Sequence, residues 1–243
     1  MNISIIIPVF NERKTLPIIL LKIIYALRNV EKEIIIIDDG STDGTREWLL
    51  DNLGLGEKFI NKSFIDDLKN QTGDIIDDGS FDDDVSINVV FQETNCGKGS
   101  SIRVGFVQAK NDVIVIQDAD LEYDPGDLDK MWSLIEENKA DVVYGSRFYG
   151  SSHMALQLHH YMGNKLISNL VSIMCNIKLT DIETCYKMFR KEVLNGMKLI
   201  SNDFGIEVEL TMKIVLSRKW RIYETGIRYY GRTFAEGKKI NWR

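Results

Sequence analysis

The chain has 243 residues, 44% hydrophobic and 27% charged, with a formal net charge of −6. That length accommodates one large domain with a sizeable core, and the acidic balance argues against a nucleic-acid binder that works by neutralising phosphates. Cys96, Cys175 and Cys185 show no metal-ligand spacing, and their odd number points to a reducing cytoplasm rather than a disulfide framework.

The amino-terminal apolar run breaks at Pro8 and has no basic residues before it, so neither a signal peptide nor an anchor is expected. Residues 3–9 are nearly all β-branched, which suits a strand buried on both faces. Residues 15–29 follow as a helix, with Leu16, Ile19, Leu20, Ile23, Ile24 and Leu27 on one stripe. Residues 33–37 form a second buried strand, and a second helix opens near Thr42. Further strands are expected at 87–91, 113–117 and 141–145, with a helix over 99–109. Another helix starts at Asp124 as N-cap, with Pro125 at its first position. This alternation predicts an α/β protein: a mainly parallel sheet with helices on both faces and right-handed crossovers.

Residues 54–86 interrupt the pattern, being rich in Asp, Asn, Gly and Lys with little apolar period. They contain Asp77-Asp78-Gly79-Ser80, an echo of Asp38-Asp39-Gly40-Ser41, and then Asp82-Asp83-Asp84. The expectation is a mobile acidic insertion loop that can be shortened without loss of fold. Farther on, residues 162–176 and 203–216 read as helices, 221–224 and 227–230 as short strands, and 231–243 as a basic tail. No stretch reaches ~18 uninterrupted apolar residues, so no spanning helix is expected. His153, His159 and His160 read as interfacial or solvated rather than as ligands.

The chemistry gathers where strands end. Asp118-Ala119-Asp120 follows the fourth of these strands, with Glu122 close behind. In open α/β sheets, ligands bind outside the carboxyl ends of the strands. Carboxylates there can chelate a hard dication such as Mg²⁺ or Mn²⁺ and so clamp a diphosphate. Pro8-Val9-Phe10-Asn11-Glu12 follows the first strand, Asp38-Asp39-Gly40-Ser41 the second, Asn95-Cys96-Gly97-Lys98-Gly99 the third and Gly145-Ser146-Arg147 the fifth. Lys98, in its glycine-flanked loop, offers a point charge beside free backbone N–H groups. One of Asp38 and Asp39 is expected to serve turn and cap chemistry.

This ordered set resembles the family 2 inverting glycosyltransferases of GT-A fold, and within them the polyprenyl-phosphate sugar transferases of the dolichyl-phosphate mannose synthase group. The stretches 179–190 and 230–240 strengthen that likeness. The resemblance implies a single catalytic domain over 1–243, with a Rossmann-like sheet and residues 151–243 on the acceptor side. It implies that Pro8, Phe10 and Glu12 surround the base of a nucleotide-diphosphate sugar, with Asp39 on the base or ribose. Lys98, Asp118, Ala119, Asp120, Arg147, Arg232 and Lys238 would complete the donor site, and Asp118, Asp120 and Glu122 would hold the metal. Glutamine often stands at the position of Glu122 in that group. Asp120, Arg147, Asp181 and Arg232 would be the catalytic residues. Arg147 and Arg232 would share the donor diphosphate and the acceptor phosphate, as arginine forks suit. Asp181 would act either as a base or as an organiser of the arginines.

The implied activity is transfer of a hexose from GDP-mannose or UDP-glucose to a polyprenyl phosphate, by an enzyme peripheral to the cytoplasmic membrane face. A phosphate monoester acceptor is already ionised near pH 7, so it needs less help from a base than a hydroxyl does. A soluble saccharide acceptor on the same fold is the alternative. More remote are a phosphohydrolase using Asp118 and a non-catalytic nucleotide-sugar binder.

Overall fold

The computed structural model describes residues 1–73, 85–149 and 158–232. Its strands are β1 (Ile3–Val9), β2 (Lys32–Asp38), β3 (Gly56–Phe59), β4 (Val85–Phe91), β5 (Val113–Ile116), β6 (Val142–Ser146), β7 (Lys187–Arg190) and β8 (Ile222–Gly226). They form one sheet in the order β3-β4-β2-β1-β5-β7-β6-β8. β1 lies between β2 and β5, parallel to both, and β4 continues the parallel set beyond β2. The continuous apolar runs are explained by burial: β2 and β5 are buried along their whole length, and β1 everywhere except Pro8.

The helices are α1 (Leu16–Tyr25), α2 (Thr45–Asn52), α3 (Lys62–Thr72), α4 (Lys98–Gln108), α5 (Leu128–Glu136), α6 (Leu158–Cys175) and α7 (Gly205–Ser217). α1 stops short of the expected Asn29. Ala26 turns extended, and Leu27 and Asn29 take left-handed φ values of 51° and 65°. The buried Lys32 ammonium fixes this end by donating to the carbonyl of Ile24 at 3.0 Å and to that of Ala26, which satisfies carbonyls the helix leaves open.

Two parts of the sheet depart from expectation. β7 inserts antiparallel between β5 and β6, pairing Val113 with Arg190 and Val142 with Phe189. Its short sequence is flanked by charges, and Lys187 at its start is fully buried, so a hydrophobic pattern does not reveal it. Residues 227–230 contribute only the bridge between Tyr123 and Tyr229.

The second departure corrects the reading of 54–86 as an insertion loop. β3 adds an antiparallel edge strand to β4. α3 is capped by Asn61, whose side chain accepts from the Phe64 N–H at 3.0 Å. Ile65 and Leu68 are buried as α3 packs on α1, and Trp48 Nε1 donates to Gln71 Oε1 at 2.8 Å. The polar residues between Ile65 and Leu68 hide a narrow apolar stripe. Ile65→Ala is therefore expected to cost about 2–5 kcal/mol, through lost burial and the cavity left behind. Urea unfolding of the variant measures it, and an unchanged midpoint would return this segment to the status of a dispensable loop. The acidic echo at Asp77 and Asp78, and Asp82 to Asp84, lie outside the described residues.

α6 buries Ser168, Val171 and Cys175 and exposes Leu166, Ile173 and Met174. Among the described residues no helix is long and apolar enough to cross a membrane.

Candidate active site

The loops after β1, β2, β4 and β5 meet along one edge of the sheet, stitched by their own side chains. Asn11, at φ 54°, donates its N–H to Ser41 Oγ at 2.9 Å and accepts from the Thr42 N–H at 2.8 Å. The Glu12 N–H donates to Thr45 Oγ1 at 3.0 Å, and Glu12 Oε2 accepts from Thr15 Oγ1 at 2.6 Å. Pro8 and Phe10 are half-buried beside this junction.

Asp38 is buried, accepts from the Ser41 N–H at 3.2 Å and lies 2.9 Å from Arg46 Nε. It is the structural member of the aspartate pair. Asp39 also carries a structural load. Its carboxylate accepts from the N–H groups of Cys96 at 2.7 Å and Gly97 at 2.9 Å, and from Gln92 Nε2 at 3.0 Å. Burial raises its pKa, against the pull of those two N–H groups. Asp39 thus ties the β4–α4 loop to the end of β2.

Several N–H groups of that loop, read in the sequence as free beside Lys98, are taken up within the protein: those of Cys96 and Gly97 by Asp39, and two more at the start of α4. Gly99 and Ser100 donate to the Asn202 carbonyl at 2.8 and 3.2 Å. Gly97, at φ 93°, and Gly99 allow this approach, since a Cβ at either would strike the Asn202 or Ser201 carbonyl oxygen. The contact fixes Lys98 beside Asp118, with Nζ 2.8 Å from Oδ1 and 3.0 Å from Oδ2. Lys98 also lies 3.4 Å from Glu207 Oε1 on α7. Glu207 in turn pairs with the buried Lys187, which donates to the Thr184 carbonyl as well. Burial opposes the charge on Lys98, but the neighbouring carboxylates outweigh it and hold its pKa well above the usual lysine value. Cys185 sits by the same group, and burial raises its thiol pKa well above normal, so it stays neutral.

Asp120 stands on a turn in which Leu121 takes φ 63°. Its Oδ1 accepts from the Glu122 N–H at 3.1 Å. Arg232 closes over this turn, with Nε donating to the Asp120 carbonyl at 2.9 Å and Nη2 to Glu12 Oε2 at 2.9 Å, while Nη2 stands 3.8 Å from Asp120 Oδ2. Glu12, expected at the nucleotide base, is thereby engaged with Arg232.

Glu122, implied as a third metal ligand, is engaged on both carboxylate oxygens. Tyr229 OH donates to one oxygen at 2.7 Å and the Arg232 N–H to the other at 2.7 Å. Glu122 thus ties the carboxyl-terminal segment to the turn that carries Asp120. Among the described residues no group of three or more His, Cys, Asp or Glu stands assembled for a metal. Asp118 and Asp120 remain a fitting pair. Their side chains are 19% and 25% exposed, and two hard oxygen donors suit a dication that completes its shell with diphosphate oxygens and water. Ala119 between them is buried.

Arg147 is engaged by Asp181 through a bidentate fork, Nε to Oδ2 at 2.7 Å and Nη2 to Oδ1 at 2.8 Å, and its N–H donates to the same Oδ2 at 3.1 Å. The guanidinium lies over the Tyr229 ring, 5.3 Å from its centroid. Asp181 is fully buried. Of the two roles left open for it, the geometry favours the organiser. Arg147 is correspondingly an oriented cation whose fork is already filled. Lys238 lies outside the described residues, as do His153 and the side chains of His159 and His160.

Lys187, Glu207 and Tyr229 had no assigned role in the sequence reading. The available signal was charge and hydroxyl inside otherwise apolar stretches, which marks a buried polar group needing a partner.

The sheet order, with its acidic loop at the end of β5, defines a GT-A fold. Residues 4–197 match the sequence model of Glycosyl transferase family 2, and the chain belongs to that family. A dolichol-phosphate mannosyltransferase from Pyrococcus furiosus is 28% identical over 99% of this chain, which spans 61% of that protein's length. An undecaprenyl-phosphate mannosyltransferase from Micrococcus luteus is 27% identical over 98% of this chain and 87% of its own. The fold is shared with glucosyl-3-phosphoglycerate synthase from Mycobacterium tuberculosis, solved with Mn²⁺, UDP and phosphoglyceric acid. It aligns with a TM-score of 0.63 at 16% identity, over 97% of this chain and 72% of that one.

Proposed function

We propose that the protein transfers a hexose from a nucleotide-diphosphate sugar to a polyprenyl phosphate, as a peripheral enzyme at the cytoplasmic membrane face. The observation that carries this is the gathering at the strand ends of Asp118, paired with Lys98, and Asp120, under Arg232, with the Arg147–Asp181 pair positioned after β6. Family membership and the relatives named for polyprenyl-phosphate acceptors support it. Asp118 and Asp120 would hold Mg²⁺ or Mn²⁺, which when bound supplies a Lewis acid for the leaving nucleoside diphosphate.

In this reading Pro8, Phe10 and Glu12 form the base side of the donor site, and Asp39 shapes it by fixing the β4–α4 loop. Arg232 meets phosphate from the carboxyl-terminal side, with Lys238 following it. Arg147 adds positive potential from behind, held in place by Asp181. The acceptor arrives ionised, so the protein's task is to orient it and to exclude water, with no strong base required. The acceptor's chain stays in lipid because each buried CH₂ is worth ~0.8 kcal/mol. The exposed Leu166, Ile173 and Met174 of α6 give the protein an apolar face with which to approach it.

The test pairs transfer with membrane binding. GDP-mannose and UDP-glucose are each supplied with MnCl₂ and a short polyprenyl phosphate, and flotation is run with liposomes containing that lipid. The expected results are a lipid-linked sugar and co-flotation that weakens in Leu166→Ser/Ile173→Ser. Sugar transfer only to water-soluble acceptors, without flotation, would establish the soluble-acceptor alternative. Release of free phosphate from the polyprenyl phosphate would establish a phosphohydrolase, and binding of the nucleotide sugar without any turnover would establish a binder.

A further inference from the structure

Four alternating charges run from the acidic loop into the interior: Asp118, Lys98, Glu207 and Lys187. Two of the three contacts are close, and one is unfinished. Lys98 Nζ is within 3.0 Å of both Asp118 oxygens, whereas Glu207 Oε1, buried and 3.4 Å from the same ammonium, accepts no hydrogen bond from the described residues. A buried carboxylate oxygen without a hydrogen bond is costly. Here the nearby cation stands in an off-centre position, closer to Asp118 than to Glu207. A small swing of the flexible lysine stem would complete the second contact.

We propose that Lys98 is a movable counter-ion with two seats. In one it neutralises Asp118, and in the other it passes to Glu207 and leaves Asp118 open to a dication. Glu207, held by Lys187, is then a positioning residue that sets the affinity of the Asp118–Asp120 pair for metal. This deepens the proposed function and rests on its dication site. The physical ground is competition. A carboxylate already paired with an ammonium binds a second cation less well, and an acceptor that stabilises the ammonium elsewhere lowers that penalty. The backbone holds both seats in place, since Gly99 and Ser100 on α4 are bonded to the Asn202 carbonyl just ahead of α7.

The two seats predict effects of opposite sign. Mn²⁺ binding to the full chain is followed by electron paramagnetic resonance of free Mn²⁺, without nucleotide and with GDP or UDP. Lys98→Met removes the competitor and is expected to tighten Mn²⁺ about tenfold without nucleotide. Glu207→Gln removes the second seat and is expected to weaken it about tenfold. In Lys98→Met the Glu207→Gln change is expected to have no further effect, because Glu207 acts only through Lys98. A merely structural Glu207 would weaken Mn²⁺ in both backgrounds. Glu207→Gln strands Lys187, so Glu207→Gln/Lys187→Met, which removes both charges, serves as a second variant with the same expected weakening. Weaker Mn²⁺ binding in Lys98→Met, or unchanged binding in folded Glu207 variants, overturns the two-seat inference and leaves the metal site standing. A wild-type chain that binds no Mn²⁺ in any of these conditions overturns the metal assignment and this inference together.

Discussion

Asp120→Ala is expected to lower transfer by about 10²–10³-fold, equivalent to ~3–4 kcal/mol of transition-state stabilisation. Two features set the size of the effect. Asp118 and Asp120 are the pair that fits the dication, and Asp118 is already shared with Lys98 at 2.8 Å. Among the described residues Asp120 has no such ammonium against it; Arg232 stands 3.8 Å from its Oδ2. Loss of Asp120 would therefore leave one carboxylate, with a competing ammonium on it, for the charge of the leaving diphosphate. Stability should change little by comparison. The side chain is a quarter exposed and gives up one turn hydrogen bond, from the Glu122 N–H at 3.1 Å, worth about 1 kcal/mol. Comparing kcat/KM at saturating MnCl₂ with the thermal midpoint separates the two effects. Transfer by Asp120→Ala at the wild-type rate in excess EDTA would remove the dication from the proposed chemistry.

The parts of this site that could be read in the sequence are those written locally. Buried strands such as Ile34 to Ile37 announce themselves by β-branched runs, and polar residues just past a strand end are placed by the fold itself. The order of the loops at Glu12, Asp39, Lys98 and Asp118 could be read for that reason. What those residues touch could not, because the partners are distant in the chain. Glu122 meets Tyr229 and the Arg232 N–H across more than a hundred residues, so its tethering of the carboxyl-terminal segment could not be read locally. Asp39 reads as a base or ribose acceptor, and its bonds to the Cys96 and Gly97 N–H groups, nearly sixty residues away, are equally invisible in the sequence. β7 was illegible for a related reason. A strand that begins with a fully buried lysine is possible only because Glu207 arrives from α7 to receive the charge. α3 was obscured differently. Asp66, Asp67 and Lys69 dominate its composition, while the buried Ile65 and Leu68 leave only a narrow stripe against α1.

The largest stability effect is expected at the Arg147–Asp181 pair. Both side chains are nearly or wholly out of water and joined by a fork of 2.7 and 2.8 Å. Arg147→Met would leave the Asp181 carboxylate buried with only the backbone N–H at 3.1 Å among these bonds. Removing one partner of such a pair costs about 3–5 kcal/mol. Asp181→Leu strands the guanidinium in the same way. The double variant Arg147→Met/Asp181→Leu removes both charges and is expected to recover most of the lost stability, since a buried ion pair is often replaceable by apolar residues of similar volume. Transfer should not recover with it, because the positive potential contributed by Arg147 is gone. The rates also decide what Asp181 does. If it organises Arg147, the two act as a unit and the double variant is no slower than either single one. If Asp181 were instead a base working independently of Arg147, the two losses would multiply. Urea unfolding and single-turnover transfer on the four proteins measure both cycles. Multiplying rate losses, alongside recovered stability, would give Asp181 back its role as a base.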